Sequence, residues 1–140
     1  KEQGIFIARE KDEVLAYVMS ASWQFWEPWP IFKQMLQDLH TLNYLGQTIT
    51  PYNSYQYGPV CVDKRVRGSG LLEELFEFAR EHMAKRYAIL VTFINKINPR
   101  SFNAHTKKLG LEVLCEFSFN NNHYYELVYD TSKKLPKEAK

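Results

Sequence analysis

The sequence predicts a single α/β or α+β domain built on a mixed sheet. Short apolar runs read as strands, and amphipathic segments of helical period stand between them. Their order is strand, strand, inserted helix, strand, helix, strand, helix, strand, strand, with no internal repeat. The 140 residues fall within the span of about 100–200 usual for one domain. A chain of that size buries roughly 68–70% of its unfolded surface, so its core needs no disulfide or metal.

Ile5-Phe6-Ile7-Ala8 and Val14 to Met19 flank the polar turn Glu10-Lys11-Asp12-Glu13, a hairpin pattern. An aromatic insertion then covers about residues 20–56. Trp23, Phe25, Trp26 and Trp29 sit among Pro28 and Pro30, followed by Ile31, Phe32, Met35, Leu36, Leu39 and Leu42 at helical spacing. Pro30 suits the first helical turn, where its missing N–H costs nothing. Thr48 to Tyr57, rich in Tyr, Asn and Ser, reads as a loop. Tyr57 to Val62 reads as a strand with a disturbed start, because Pro59 cannot donate to a ladder and implies an edge or bulge. Leu71, Leu72, Leu75, Phe78, Ala79, His82 and Met83 share one face of the next helix, with Glu73, Glu74, Glu77 and Glu81 largely opposite. Ala88 to Ile94 is a continuous apolar run suited to a central strand covered on both faces. Asn98-Pro99 reads as an N-cap with Pro at the first helical position, and Leu109-Gly110 as the end of that helix. Residues 111–119 alternate into a strand, and Asn120-Asn121-Asn122 turns the chain back into Tyr124 to Tyr129. Residues 1–130 thus form one domain, and Thr131 to Lys140 a polar, Lys-rich tail expected to fray.

A net charge of +2 supplies no general field for nucleic acid or membranes, so phosphate binding would need a local cluster. No apolar run approaches the ~20 residues of a membrane-spanning helix. The two cysteines, Cys61 and Cys115, lie in apolar stretches without metal-ligand spacing, and are expected to be small buried hydrophobes in a reducing cytoplasm.

One segment carries chemistry. Val62-Asp63-Lys64-Arg65-Val66-Arg67-Gly68-Ser69-Gly70-Leu71-Leu72 joins a strand to a helix N-terminus through two glycines and three basic residues. Free amides and the helix dipole make such a junction suited to a pyrophosphate, and glycines let the main chain approach it closely. The same residues are also compatible with a plain strand–helix turn bearing a solvated basic flank. The pattern is neither GxxxxGK(S/T) nor GxGxxG, since Glu73 stands at the third glycine.

Read with the downstream helix, the loop resembles the GNAT superfamily of acyl-CoA-dependent N-acetyltransferases, whose signature is V-x-x-x-x-(Q/R)-x-x-G-x-(G/A). Arg65-Val66-Arg67-Gly68-Ser69-Gly70 matches the short motif literally. Spacing from Val62 favours Arg67-Gly68-Ser69-Gly70-Leu71-Leu72, the RGxG form, in which Leu72 departs from the final Gly/Ala. A second element, Asn98 to Leu111, resembles the family's N-x-x-S-x-x-A-H-x-K-x-G-(F/L) helix. The likeness covers roughly residues 4–19 and 57–129. It implies a mostly antiparallel sheet with splayed central strands. It also implies that the first strand and acceptor-side helices that normally precede Gly4 are absent.

The resemblance implies transfer of an acetyl group from acetyl-CoA to a primary amine of a small-molecule or peptide acceptor, without a metal. The pantetheine arm would lie along the main chain of Val60, Cys61 and Val62, opposite Ile89 to Phe93, with an amide near Val62 polarising the thioester carbonyl. The amides from Arg67 to Leu72 would hold the pyrophosphate, Asn98 and Ser101 the arm, and Lys64, Arg65 and Arg67 the phosphates. Many relatives carry a tyrosine as general acid where this sequence has Thr106, beside His105. His105, Tyr57 and Tyr55 are the alternative acid or base candidates, and His123 to Tyr125 candidates for the acceptor side. The same cradle without chemistry would make a non-catalytic acyl-CoA-binding module. The Trp23–Trp29 cluster fits an acceptor-pocket wall, a homodimer contact, or the core beneath the extra helix.

Overall fold

The computed structural model describes residues 3–10 and 12–134. Strands β1 (Gln3–Glu10) and β2 (Glu13–Ala21) form the expected hairpin. Helices α1 (Trp23–Trp26) and α2 (Pro30–Asp38) follow, the second opened by Pro30. A two-residue ladder of β3 (Asn43–Tyr44) and β4 (Gln47–Thr48) leads to β5 (Ser54–Val62). Then come α3 (Leu71–Ala84), β6 (Ile89–Asn95), α4 (Pro99–Asn103), β7 (Glu112–Phe119) and β8 (Asn122–Asp130). The main sheet has the order β1-β2-β5-β6-β8-β7, and every pairing is antiparallel except β5 with β6.

The sheet separates two apolar clusters, as period-2 alternation requires. Leu90, Leu127 and Tyr129 face one side, packed with Leu75, Phe76, Ala79 and Met83 of α3. Ile89, Val91 and Val128 face the other, packed with Trp23, Trp26, Phe32 and Met35. Ile89, Leu90 and Val91 are no more than 1% exposed, so β6 is the central strand that its unbroken apolar run predicts.

Four expectations need correction. The segment expected to be a loop up to Tyr57 is strand from Ser54, because parallel pairing of Ser54, Tyr55 and Gln56 with Ile89, Leu90 and Val91 draws it into the sheet. Tyr55 and Tyr57 are consequently core residues. Cys61 is exposed and Cys115 half-buried, because β5 and β7 present alternate residues to solvent. Thr131, placed in the tail by its polarity, is buried: its hydroxyl donates to the Tyr87 carbonyl at 2.7 Å, and its carbonyl accepts from the buried Arg80 guanidinium. Finally, the helix opened by Asn98 does not run as one α-helix. After α4 it widens into a π-type turn, Ala104–Lys108, closed by Leu109 N–H on the Ala104 carbonyl and by Gly110 at φ +82°. No helix among the described residues is long and apolar enough to cross a membrane.

The tryptophan-bearing face of the sheet buries a carboxyl. Glu126, 4% exposed, approaches the Cys115 thiol, and its Oε2 meets no partner among the described residues. Burial raises its pKa to about 7. A carboxyl ionising at about 4.5 when unfolded and about 7 when folded holds its proton more tightly in the native state, so stability falls as pH rises across that window. Glu126→Gln removes the ionisation. The variant should gain stability over the parent as pH rises from 5 to 8, by on the order of 2–3 kcal/mol, measured as urea midpoints at the two pH values.

Candidate active site

Strand β5 loses one of its two partners partway along. Its first three residues pair with β6, while Val60, Cys61 and Val62 pair only with β2, opposite Val18, Tyr17 and Ala16. Between the two halves the register slips: Gly58 and Pro59 stand where β2 offers Met19 alone, a bulge of the kind that a proline in a strand implies. Gly58 has φ +106°, and a Cβ there would stand 3.6 Å from the Thr92 hydroxyl, which donates to the Tyr57 carbonyl at 2.7 Å. Past this point β5 and β6 diverge. Asp63 N–H donates to the Leu15 carbonyl, so alternation turns the Cys61 amide towards β2 and aims those of Val60 and Val62 into the gap. Cys61 therefore offers the gap neither its amide nor, being exposed, its side chain.

A cavity of about 300 Å³ fills the wider end, lined by Val60, Val62, Arg67, Gly68, Leu72, Asn98, Ser101 and His105. Its floor is the loop leading into α3. There the amides alternate in use: Arg67 N–H donates to Lys64 O, Ser69 N–H to Val66 O and Leu71 N–H to Ser69 Oγ. Those of Gly68, Gly70 and Leu72 have no acceptor among the described residues, and so make the open half of the cradle. Gly68 and Gly70 lie at φ +81° and +91°, and a Cβ on either would project into open space. The α3 N-terminus, whose N-cap Gly70 has no side chain to cap it, adds its dipole. Loop and helix end together fit a pyrophosphate. Leu71 packs against the core beneath.

The basic residues divide differently from expectation. Arg65 is committed elsewhere, held by Asp63 at 2.8 Å and Glu13 at 3.2 Å. The same contact holds the Asp63 carboxyl down to about 2. Arg67 lines the cavity, with Nε on the Val62 carbonyl at 3.2 Å. Lys64 is not in the lining, whereas Arg100 and Lys108 are, and the loop motif points to neither of these two. The sequence shows only that they lie eight residues apart within the Asn98–Gly110 segment, which does not by itself place both at one cavity.

Asn98 caps α4 through Oδ1 on Ser101 N–H and also borders the cavity. Ser101 and His105 face each other across one turn. The His105 Nδ1–H donates to the Ser101 carbonyl at 2.8 Å, which leaves Nε2 to accept from the Tyr57 hydroxyl at 3.0 Å. Burial lowers the pKa of His105 and raises that of Tyr57, so both are neutral at pH 7. Thr106 lies outside the cavity, its hydroxyl donating back to the Phe102 carbonyl at 2.8 Å. Tyr55 faces Tyr87 in the core and is not in the cavity lining. On the last hairpin, the His123 ring bonds to Ser118 and Tyr124 stacks on Phe117.

A second cavity, about 350 Å³, opens on the other side of the splay. Val60, Ser101 and His105 line both, so the two meet there. Trp26, Trp29, Phe32 and Phe93 wall the second, with Gln56 and Tyr57 nearer the strand. The aromatic insertion is thus divided. Trp23 is core, fully buried with Nε1 donating to Ser54 Oγ at 2.9 Å, while Trp26 and Trp29 border the cavity.

No protein-family model matches the chain, and no curated protein matches it in sequence. Solved structures do. An N-acetyltransferase from Staphylococcus aureus superposes with TM-score 0.59 at 20% identity, covering 92% of this chain and 68% of the other. A protein named as an acetyltransferase from Salmonella typhimurium, solved with acetyl-CoA, gives 0.60 at 15% identity, covering 97% and 69%. One assigned to the GNAT acetyltransferases, from Desulfovibrio desulfuricans, gives 0.62 at 10%, covering 93% and 69%. The splayed β5 and β6, the glycine cradle at α3 and these superpositions agree: the chain has the GNAT acetyltransferase fold.

Proposed function

We propose that this chain is an N-acetyltransferase that moves an acetyl group from acetyl-CoA to a primary amine by direct attack. The observation that carries the reading is the meeting of two unlike cavities at Val60, Ser101 and His105, one floored by unfilled amides and the other walled by rings. Acetyl-CoA supplies the thioester. Gly68, Gly70 and Leu72 hold its pyrophosphate through their amides, with Arg67, Arg100 and Lys108 around them. Val60 and Val62 offer amides to the arm, and one of them to the carbonyl oxygen as charge builds there. The amine nitrogen bonds to the acetyl carbon and loses a proton, the carbon–sulfur bond breaks, and the thiolate takes up a proton.

The Tyr57–His105 pair stands where those protons pass. Tyr57 accepts one from the attacking nitrogen as it passes its own to His105 Nε2, and the same pair run in reverse returns a proton to the thiolate, so the buried charge on His105 is transient. The Ser101 carbonyl steadies the imidazolium that forms. Thiolate is a tolerable leaving group, with a pKa near 8.5, so a tyrosine at position 106 is not required. The alternative, a non-catalytic acyl-CoA-binding module, draws its support from Thr106, whose hydroxyl is turned away from both cavities.

Calorimetric titration with acetyl-CoA, followed by a thiol-release assay with amines, separates the two readings. Tight binding with turnover is expected; binding without turnover on any amine would leave the module. Gly70→Asp puts a carboxylate and a Cβ at the cradle, and should weaken acetyl-CoA binding about tenfold or more while the fold persists. His105 yields a separate prediction. Its native pKa lies below the unfolded 6.5, so an unfolded chain binds the proton first and stability falls as pH drops below about 6.5. In His105→Gln that part of the acid loss should vanish in thermal melts from pH 7.5 to 5, and thiol release should fall about 100-fold or more.

A further inference from the structure

The second cavity bears on the chemistry of the acceptor, provided the chain is the acetyltransferase proposed above. Its far wall is aromatic and already assembled. Trp26 stacks on Phe32 with centroids 4.7 Å apart, Phe32 meets Phe93 edge-on at 5.6 Å, and Trp29 meets Trp26 at 5.6 Å. Rings that hold one another need little ordering when a ligand arrives. At about 350 Å³ the space lies at the small end of ligand sites. Among the described residues its lining contains no Asp, Glu, Lys or Arg, and His105 is its sole ionisable side chain besides Tyr57. The buried carboxyl of Glu126, which pairs with Phe93 across the ladder, is not in the lining.

We infer that the acceptor is a small primary amine bearing one aromatic or bulky apolar group and no second charge. Polarity orients it. Ser101 and His105 stand at the junction with the first cavity, so the nitrogen lies there and the apolar group against Trp26, Trp29, Phe32 and Phe93. A polyamine or aminosugar would bring extra ammonium groups to a wall with no counter-charge, at a large desolvation cost. A lysine peptide would bring main-chain N–H and C=O groups against rings that cannot bond them. The same lack of carboxylates favours the neutral amine over its ammonium form, and only the neutral form attacks.

The test compares 2-phenylethylamine, spermidine, an aminoglycoside and a lysine peptide in the thiol-release assay with saturating acetyl-CoA. Tryptophan fluorescence, titrated with each amine in the presence of CoA, supplies a binding readout independent of turnover. The expected result is a kcat/KM for 2-phenylethylamine roughly tenfold or more above the others, with saturable quenching. Trp29→Ala should raise its KM about tenfold with kcat and acetyl-CoA affinity little changed, and Trp29→Phe should restore most of it. Equal or better use of spermidine, the aminoglycoside or the peptide would overturn the inference. So would an unchanged KM in Trp29→Ala, or the absence of saturable quenching by 2-phenylethylamine. Failure of acetyl-CoA to bind would instead remove the acetyltransferase reading, and selective quenching by 2-phenylethylamine would then still establish the pocket's preference.

Discussion

Strand β5 has two neighbours and pairs with them unequally. It holds β6 over Ser54, Tyr55 and Gln56 only, and β2 from Gln56 to Val62 with a bulge at Gly58-Pro59. Most of the molecule's functional geometry follows from that inequality. A proline N–H is missing where the ladder would continue, and glycine takes the φ of +106° at that point without the strain a side chain would bring. The gap exposes the main chain of Val60 and Val62, which in an unbroken sheet would be spent on β6. It also brings the end of β5 over the start of α3, so that the free amides of the glycine loop border the same space. A sheet closed along its full length would have had a better ladder and no site.

The two faces of the sheet then do different work. Helix α3 on one side seats a regular aliphatic and aromatic core, anchored at its far end by Arg80 between Glu77 and the Thr131 carbonyl. On the other side α1 and α2 bring tryptophans and phenylalanines up to the opening. That second face carries Glu126 Oε2, Gln56 Oε1 and Trp26 Nε1, three of the four buried side-chain polar atoms without a partner among the described residues, Ser20 Oγ being the other. Unmet polar atoms close to an aromatic cavity match the general pattern in which a site is less well satisfied than the core that supports it.

The candidate residues show how far local chemistry reaches. Gly68 and Gly70 were legible as candidates in the chain alone, because glycines ahead of an amphipathic helix permit the left-handed turns that both adopt. Asn98 followed by Pro99 was legible in the same local way. Arg65 could not be assigned locally, since its partner Glu13 lies on another hairpin. Tyr57 was legible as a candidate but not in its burial, which comes from β6 and α3 packing against it. Arg100 and Lys108 border the cavity from α4 and from the π-type turn after it, and no periodicity announces that turn.

Sequence by itself determined the order of the main-sheet strands and α3, the glycine loop ahead of α3, the N-cap of α4 and the aromatic excess between residues 23 and 29, all features set by neighbours within a few positions. Tertiary structure decided that β5 starts at Ser54, that the Tyr57 hydroxyl meets His105 at 3.0 Å, and that two cavities join at Val60, Ser101 and His105. Those facts depend on the register between strands 35 residues apart along the chain, where Ser54 pairs with Ile89. Register is settled by burying both faces of β6 at once, a condition on the whole sheet and not on any window of sequence.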